Sequence, residues 1–253
     1  MKATAIIPAR YGSTRFPGKP LALINGLPMI QHVCQRVAKA KMIDRVIVAT
    51  DDARIVSAVE DFGGDVVLTR SDHPTGTDRL AEVALNIDSQ LIVNVQGDEP
   101  LIDPRMVDQA IAPLLEYPQV QMGTLASKID QIDDFYNPNV VKVVKDQQGL
   151  ALYFSRAPIP WPRDLKSEQL AESLTQFGLL RHIGLYVYRR DLLLDYPSWS
   201  KTPLENLENL EQLRVLERGI KLYVAETEFS CHGVDTPADL ERVANLMSAE
   251  NNK

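Results

Sequence analysis

The sequence has 253 residues, of which 45% are hydrophobic and 24% are charged, and its net charge at pH 7 is −7. This composition is typical of a globular protein with a buried core. No apolar run approaches the roughly 20 residues of a membrane-spanning helix, and an acidic chain lacks the broad basic surface that binds nucleic acids or anionic membranes. Cys34 and Cys231 lack metal-ligand spacing, which predicts two reduced thiols. We therefore expect a cytoplasmic protein with no nucleic-acid or membrane partner.

The first half of the sequence alternates predicted strands with predicted helices. The strands are short, apolar and β-branched, and each is followed by residues with helical periodicity. The predicted strands are ATAIIPA, RVIVAT, DVVLT and LIVNVQ, and the predicted helices lie around 30–40, 53–62, 78–85 and 105–115. This alternation predicts an α/β fold with a Rossmann-like, mostly parallel sheet and helices on both faces. Ligands of such sheets bind beyond the carboxyl ends of the strands.

From about Val120 the pattern changes to strands without regular crossover helices. These strands are MGTLASKI, NVVKVVKD, LALYFSR and IGLYVYRR, and we expect antiparallel or edge pairs among them. The polar stretch RDLKSEQLAESLTQF is predicted to be a loop. A helix over 204–217, a strand KLYVAE and a helix from Pro237 onward, capped by Thr236, complete the chain. With no repeat or linker, residues 1–253 are predicted to form one domain, in which residues from about 120 to 200 form a strand-rich lobe.

The loop after the first predicted strand concentrates positive charge. In AIIPARYGSTRFPGKPL, the cations Arg10, Arg15 and Lys19 surround two glycines. A Walker-type loop is excluded because five residues separate these glycines and a proline follows the lysine, where a magnesium-binding Ser or Thr would stand. The G-x-G-x-x-G dinucleotide motif is also absent. The backbone N–H groups of residues 12–14 and the three cations suit a polyphosphate whose metal is held elsewhere. The alternative is that the cations only solvate an exposed loop.

Carboxylates follow at the predicted sheet edge. Asp98 and Glu99 follow the predicted strand LIVNVQ, and Asp235 lies just before the last predicted helix. Mg²⁺ prefers carboxylate oxygens and keeps phosphates and waters as its other ligands. Turn chemistry at Asp98 and helix capping by Asp235 are the structural alternatives. Together with the cationic loop, these acids favour metal-assisted phosphoryl chemistry.

Nine strings of the sequence carry a resemblance to one enzyme family. They are IPARYGSTRFPGKPL, NGLPMIQHV, VATDD, TGTDR, VNVQGDEPLI, YFSRAPIPWPR, RHIGLYVYRR, LENLEQLRVLERG and GVDTPADLERV. Together they resemble the 3-deoxy-manno-octulosonate cytidylyltransferases, or CMP-Kdo synthetases, along the whole chain. The first string is shared by many nucleotidyltransferases, whereas SRAPIPWPR and LEQLRVLERG are hard to place in another family.

The resemblance implies both a reaction and a set of site residues. The anomeric hydroxyl of the sugar acid Kdo would attack the α-phosphate of CTP, giving pyrophosphate and CMP-Kdo for lipopolysaccharide biosynthesis. The implied triphosphate-binding residues are Arg10, Ser13, Arg15 and Lys19, and the implied catalytic residues are Lys19, Arg15 and the two Mg²⁺ ligands, Asp98 and Asp235. The implied Kdo-binding residues are Arg79, Gln96, His182, Tyr186, Glu211 and Gln212. The resemblance also implies a homodimer, for which the lobe at 120–200 would supply the contact and the acceptor lid.

Other functions and other roles for these residues remain open at this point. Sialate cytidylyltransferases and thymidylyltransferases share the first loop, and a glycosyltransferase of similar fold would consume a CMP-sugar and release CMP. A nucleotide-binding module without catalysis is a further alternative, although Lys19, Asp98 and Asp235 are all present. Without the resemblance, His182 would be a structural strand residue, and Glu211 and Gln212 would be the solvated face of a helix.

Overall fold

The computed structural model describes residues 3–12, 16–165 and 167–251. The strands are β1 (Ala3–Ala9), β2 (Leu23–Ile24), β3 (Leu27–Pro28), β4 (Ile43–Thr50), β5 (Asp65–Leu68), β6 (Leu91–Asn94), β7 (Met122–Lys128), β8 (Lys142–Lys145), β9 (Ala151–Ser155), β10 (Leu180–Arg189) and β11 (Leu222–Glu226). The helices are α1 (Met29–Val37), α2 (Ala53–Asp61), α3 (Gly76–Ala84), α4 (Pro104–Glu116), α5 (Ile132–Tyr136), α6 (Ser167–Phe177), α7 (Arg190–Asp195), α8 (Pro203–Glu208), α9 (Leu213–Leu216) and α10 (Pro237–Asn251).

The main sheet has the strand order β11-β7-β10-β6-β1-β4-β5. Strands β6, β1, β4 and β5 pair in parallel, as do β7 and β11, whereas β10 is antiparallel to both of its neighbours in this order. Strands β2 and β3 form a separate antiparallel pair. The predicted α/β class with a mostly parallel sheet is therefore confirmed.

Both faces of the sheet are covered by helices because successive strand residues point in opposite directions. Ala5 and Ile7 of β1 pack on one face, in the same cluster as residues of α1, α2 and α4. Ile6 packs on the other face, in a cluster with residues of α3, α7 and α9. Strands buried on both faces read as continuous apolar runs, which is how β1, β4 and β6 were recognised in the sequence.

The region predicted to be a strand-rich lobe is built into the main sheet. Strand β10 lies between β6 and β7 and pairs antiparallel with both. The expected antiparallel pairing is therefore present, but β10 is a central strand and not an edge strand. Strands β8 and β9 form a hairpin that extends from the first residues of β10. The role of this region as an acceptor lid and dimer contact stays a prediction.

The polar stretch at 163–177 was predicted to be a loop, and this prediction was wrong because most of it forms α6. Leu170 and Leu174 are buried and belong to one cluster with Ile129 and with Phe135 of α5. Their spacing of four residues is helical, but the surrounding polar residues hid this signal.

The helix predicted over 204–217 is two short helices, so this prediction was also wrong. Helix α8 begins after Thr202, whose N–H donates to Glu205 Oε2 at 3.3 Å, and it ends at Asn209, whose φ of 53° is left-handed. Asn adopts this conformation more readily than most residues and commonly ends a helix. The chain restarts as α9 only at Leu213, so Glu211 and Gln212 lie in the break between the helices.

The turn of the β8–β9 hairpin pairs with the outermost strand, β11. The Val224 N–H donates to the Gly149 carbonyl at 2.8 Å, and Leu150 forms an antiparallel bridge with Tyr223. Lys145 adds an ion pair with Glu226, at 3.0 Å. The hairpin therefore joins β10 at one end and β11 at the other.

Candidate active site

The carboxyl ends of β1 and β6 meet at one edge of the sheet. The two strands are neighbours and run in parallel, with Ile6 opposite Asn94. After β6, the chain passes so close to β1 that a Cβ atom at Gly97 would lie 3.0 Å from the Pro8 carbonyl oxygen. A side chain at this position would push against the β1 backbone by a few tenths of an ångström, so glycine favours this close approach.

Lys19, Asp98 and Asp235 come together at this edge. The Nζ atom of Lys19 donates to Asp98 Oδ2 at 2.6 Å and to the Val234 carbonyl at 2.8 Å, and it lies 3.4 Å from Asp235 Oδ1. The Val234 N–H in turn donates to the Asp98 carbonyl at 2.9 Å. This backbone bond fixes the loop before α10 against the loop after β6, which explains how two distant acids meet.

The last helix starts immediately after this cluster. Thr236 and Asp239 form a reciprocal cap, in which the Asp239 N–H donates to Thr236 Oγ1 at 3.2 Å and the Thr236 N–H donates to Asp239 Oδ2 at 3.0 Å. The prediction that Thr236 caps this helix is confirmed. The cap leaves Asp235 outside the helix, with its side chain half exposed beside Lys19.

The donor set of this cluster suits a magnesium ion that also binds phosphate. Asp98 and Asp235 offer carboxylate oxygens from two loops, and Mg²⁺ in phosphoryl-transfer sites is held by one or two carboxylates with phosphate and water as the remaining ligands. Within the ranges that the structure describes, no three His, Cys, Asp or Glu side chains form a closed ligand group. Two carboxylates with phosphate and water would together complete the ligands of such an ion.

Glu99 is a third carboxylate beside this pair. Its Oε2 accepts a hydrogen bond from the His232 N–H at 3.1 Å. Burial, and then the charge of Asp98, raise the pKa of Glu99 to about 7. A raised pKa beside two other acids shows that negative charge is crowded at this edge, so a divalent cation would be attracted there.

The cationic loop is described only in part. Arg10 follows β1, is exposed, and donates from Nη2 to the His73 carbonyl at 2.8 Å, which ties the loop to the segment before α3. Ser13 and Arg15 lie outside the described residues. Lys19 stands in the 3₁₀ turn Lys19–Leu21, which Gly18 enters with a left-handed φ of 72°.

A cavity of about 670 Å³ opens beside this edge. Four of the residues implied in Kdo binding line it, namely Gln96, Tyr186, Glu211 and Gln212. Gln96 donates from Nε2 to the Gly184 carbonyl at 3.1 Å, and only Gly97 separates it from Asp98 in the sequence. The cavity and the acid pair therefore share one loop.

Several polar residues that line the cavity were not selected from the sequence. They are Thr77, Asn94, Arg156, Tyr188, Tyr196 and Asn209. Thr77 Oγ1 donates to Glu211 Oε2 at 2.8 Å, and Tyr196 donates its hydroxyl to the Glu211 carbonyl at 3.3 Å. Burial raises the pKa of Glu211, although the bond from Thr77 opposes this shift. One sequence signal could have indicated a residue of this kind, namely the polar Asn94 inside the apolar run LIVNV.

Two buried polar atoms at the cavity have no hydrogen-bond partner. They are Asn94 Oδ1 and Gln212 Nε2, and the side chains of both residues are nearly inaccessible, at 4% and 3% exposure. One is an acceptor and the other a donor. Unpaired buried polar atoms are rare in native proteins, so both are candidates for ligand contacts.

His182 lies behind the cavity wall, where it packs against Phe154 and Tyr186 with ring centroids at 5.0 and 5.3 Å. Its Nε2 is 2.9 Å from Thr124 Oγ1. The single hydrogen of this hydroxyl is shared between the Leu185 carbonyl at 2.8 Å and the Ile183 carbonyl at 3.1 Å. Because that hydrogen points to the carbonyls, Nε2 must donate to Thr124. Burial lowers the pKa of His182 to about 3, which keeps the ring neutral.

Arg79 is fully buried and does not line the cavity. Its Nη1 donates to Thr69 Oγ1, and its Nη2 lies 3.2 Å from Asp51 Oδ2. Thr69 and Asp51 follow β5 and β4, so this guanidinium joins two strand ends to α3. The geometry gives Arg79 a structural contact and brings it to none of the other implied Kdo-binding residues.

Arg156 connects the string SRAPIPWPR to the break between α8 and α9. Its Nε donates to the Glu208 carbonyl at 2.7 Å, and its Nη1 donates to the Pro138 carbonyl at 3.0 Å. The Glu208 carboxylate accepts from Ser155 Oγ at 2.6 Å and from the Arg156 N–H at 2.9 Å. These contacts fix the wall that carries Glu211 and Gln212.

No helix in the described part of the chain has the length and apolar character needed to cross a bilayer.

Comparisons with known proteins agree along nearly the whole chain. The profile of the family described as cytidylyltransferase matches residues 4–222. A 3-deoxy-manno-octulosonate cytidylyltransferase of Syntrophotalea carbinolica is 60% identical over 243 residues, which cover 96% of this chain and 97% of the relative. The enzyme of the same name from Geobacter metallireducens is 58% identical, with 98% of each chain covered. A solved structure of CMP:2-keto-3-deoxy-manno-octonic acid synthetase complexed with CTP has a TM-score of 0.91 at 43% identity, covering 99% of this chain and 100% of that one.

Proposed function

The chain belongs to the 3-deoxy-manno-octulosonate cytidylyltransferase family, and we propose that it transfers CMP from CTP to the anomeric hydroxyl of Kdo. A bond forms between the anomeric oxygen and the α-phosphorus, and the bond from that phosphorus to the bridging oxygen of pyrophosphate breaks. The hydroxyl proton is released, and the products are CMP-Kdo and pyrophosphate. CMP-Kdo then serves lipopolysaccharide biosynthesis.

One observation carries this proposal. Lys19, Asp98 and Asp235 converge at the strand ends, beside a cavity whose polar lining suits a sugar acid. An anionic acceptor must approach an anionic triphosphate, so positive charge has to be concentrated where the two substrates meet. In a chain whose net charge is −7, Lys19, Arg10 and a Mg²⁺ ion held by the two acids would supply this positive charge locally.

The nucleotide side of the site neutralises phosphate charge. Lys19 is held by two carboxylates and a carbonyl, so its ammonium group is oriented toward the loop edge and can exchange a carboxylate partner for a phosphate oxygen. Arg10, with Ser13 and Arg15 of the same loop, would bind the triphosphate. Asp98 and Asp235 would hold Mg²⁺, which supplies Lewis-acid stabilisation of charge on the phosphates.

The acceptor side binds and orients the sugar acid. Gln96, Glu211 and Gln212 offer hydrogen-bonding groups at the cavity surface, and Tyr186 adds an aromatic wall. Binding the sugar in a fixed orientation brings its anomeric oxygen to the phosphorus. The reaction step then no longer carries the entropy cost of bringing two free molecules together. His182 supports this wall from behind through Thr124 and Tyr186.

The decisive experiment measures pyrophosphate release from CTP and Mg²⁺ in the presence and absence of Kdo. The proposal expects release only when both substrates are present, with CMP-Kdo formed in equal amount. Sialic acid and thymidine triphosphate tested in parallel distinguish the other nucleotidyltransferases. Release of CMP from a CMP-sugar, with no pyrophosphate from CTP, would contradict the proposal and indicate a glycosyltransferase.

Two further features belong to the same proposal. The enzyme would act as a homodimer, which is supported by large apolar side chains exposed near α8 and β9, among them Leu207 at 83% and Leu152 at 63% exposure. It would act in the cytoplasm, because the reaction consumes CTP, a cytoplasmic nucleotide.

A further inference from the structure

We propose that Asn94 is a specificity-determining residue, whose unpaired amide oxygen accepts a hydrogen bond from a hydroxyl group of the acceptor sugar. This inference rests on the proposed function, since it concerns the acceptor of the same reaction. The loops at the rim of the cavity supply the other contacts of the sugar. Asn94 would add one contact from the sheet, at the floor of the cavity.

Asn94 is placed by the sheet itself. It is the last residue of β6, opposite Ile6 of β1 and Tyr186 of β10, so its backbone is held by strands on both sides. Its neighbours Val93 and Val95 point into one core, and Asn94 therefore faces the side of the cavity. A side chain on a central strand loses little further freedom when it binds a ligand, which favours selective recognition.

The amide oxygen of Asn94 has no partner within the protein. Asn94 lines the cavity together with Thr77 and Tyr188, and Thr77 donates to Glu211. Asn94 Oδ1 itself forms no hydrogen bond, although the residue is only 4% exposed. A carbonyl oxygen can only accept, so its partner in the complex must be a donor.

The ligand chemistry supplies such a donor. Kdo has several hydroxyl groups in addition to the anomeric one, whereas its carboxylate can only accept. A buried acceptor without a partner is unfavourable in the free enzyme, and pairing with a substrate hydroxyl removes this penalty when the sugar binds. A site built to pair with a hydroxyl group also rejects analogues that lack it.

The test combines Asn94→Ala with deoxy analogues of Kdo, each of which lacks one hydroxyl other than the anomeric one. With Kdo, the substitution should lower kcat/KM for the sugar by about two- to ten-fold while the KM for CTP stays unchanged. With the analogue that lacks the contacting hydroxyl, the wild-type enzyme should show a similar loss. Asn94→Ala should then add no further loss, because the contact is already absent. With the other analogues, the loss in kcat/KM caused by Asn94→Ala and the loss caused by the missing hydroxyl should multiply.

Two further variants keep the test interpretable. Asn94→Leu keeps the branched shape of the side chain, carries the same expectation, and replaces Asn94→Ala if the latter does not melt cooperatively. Thr4→Val is the matched control, because it removes a partly buried hydrogen bond to Ser89, in the segment before β6 and away from the cavity. It should alter neither KM. Losses that multiply for every analogue would overturn the inference about Asn94. Failure of the wild-type enzyme to release pyrophosphate with CTP and Kdo would instead overturn the proposed function.

Discussion

Lys19 holds two acids together at the sheet edge. Its ammonium group contacts Asp98 at 2.6 Å and Asp235 at 3.4 Å, so one positive charge is shared between two negative ones. Both acids also contribute to the raised pKa of Glu99. A divalent cation and a triphosphate entering together would redistribute these contacts, with the acids turning to the cation and Lys19 to the phosphates.

Asp98→Asn and Asp235→Asn should each lower kcat by about a hundred-fold or more, since metal-derived charge stabilisation contributes several kcal/mol. The double variant should be hardly worse than either single one, because one remaining ligand cannot hold the ion correctly. Melting temperature without Mg²⁺ should change little, since these partly exposed ion pairs stabilise the fold weakly. Asp65→Asn, which alters an exposed ion-paired Asp at the opposite edge of the sheet, is the control and should retain full turnover. Near-normal kcat in either single variant would contradict the two-acid site.

The Thr124 hydroxyl stabilises a β-bulge in β10 through hydrogen bonds. Two extra residues, Gly184 and Leu185, interrupt the pairing of β10 with β7, and the Thr124 hydroxyl bonds to carbonyls on both sides of Gly184. We expect Thr124→Val, which keeps the shape but removes the hydroxyl, to raise the KM for Kdo by about two- to ten-fold and to leave the KM for CTP unchanged. Thr124→Ser should restore the wild-type KM. Equal changes in both KM values would show that the hydroxyl supports the fold in general.

His182 predicts a dependence of stability on pH. The folded protein holds its pKa near 3, whereas the ordinary value is 6.5. Below pH 6.5 the unfolded chain binds a proton at His182 that the folded protein does not bind. The contribution of His182 to the free energy of unfolding is therefore complete above pH 6.5 and declines as the pH falls toward 3. Between pH 7 and pH 5 the wild type should lose about 2 kcal/mol more than His182→Gln, which cannot titrate. Thermal melts of both proteins at the two pH values measure this difference, and parallel losses would exclude the effect.

At the scale of elements, the break between α8 and α9 depends on one left-handed residue. Asn209→Val should destabilise the protein by about 1–2 kcal/mol, because a β-branched residue is strained at this φ. That corresponds to a fall in melting temperature of about 2–8 °C. The same variant should raise the KM for Kdo, since Glu211 and Gln212 follow directly. Asn209→Gly, which accepts the left-handed conformation, should melt close to the wild type. If both variants melt alike, the conformation of Asn209 does not determine the break.

The elements also show what the sequence could and could not predict. Apolar runs buried on both faces made β1, β4 and β6 recognisable, and the parallel order of β1 and β6 brings Lys19 and Asp98 to one edge. The break at Asn209 was missed because the helical periodicity continues from α8 into α9, and no local pattern shows which Asn adopts a left-handed φ. The central position of β10 and the contact of Thr77 with Glu211 depend on residues far apart in the sequence. Periodicity carries no information about such pairs.

At the scale of the whole molecule, exposed apolar side chains predict the assembly state. Leu152 of β9, Trp161 and Leu207 of α8 are 63%, 68% and 83% exposed, and a dimer contact in this region would cover them. We expect light scattering to give the mass of a dimer, and Leu207→Glu to shift it toward the monomer. Leu68→Glu, at a 62% exposed position on the distant edge strand β5, should leave the mass unchanged. A monomeric wild type would contradict the proposed homodimer.

The hairpin turn that pairs with β11 has a consequence for the behaviour of the protein in concentrated solution. An uncovered outer strand is a template on which another chain can add and begin fibril growth. Here Gly149 and Leu150 occupy hydrogen-bonding positions of β11 that a foreign strand would need. The other outer strand, β5, has only four residues and begins with Asp65, which is ion-paired with Arg45. Both ends of a large sheet are thereby protected against amyloid-like polymerisation, even though the sheet never closes into a barrel.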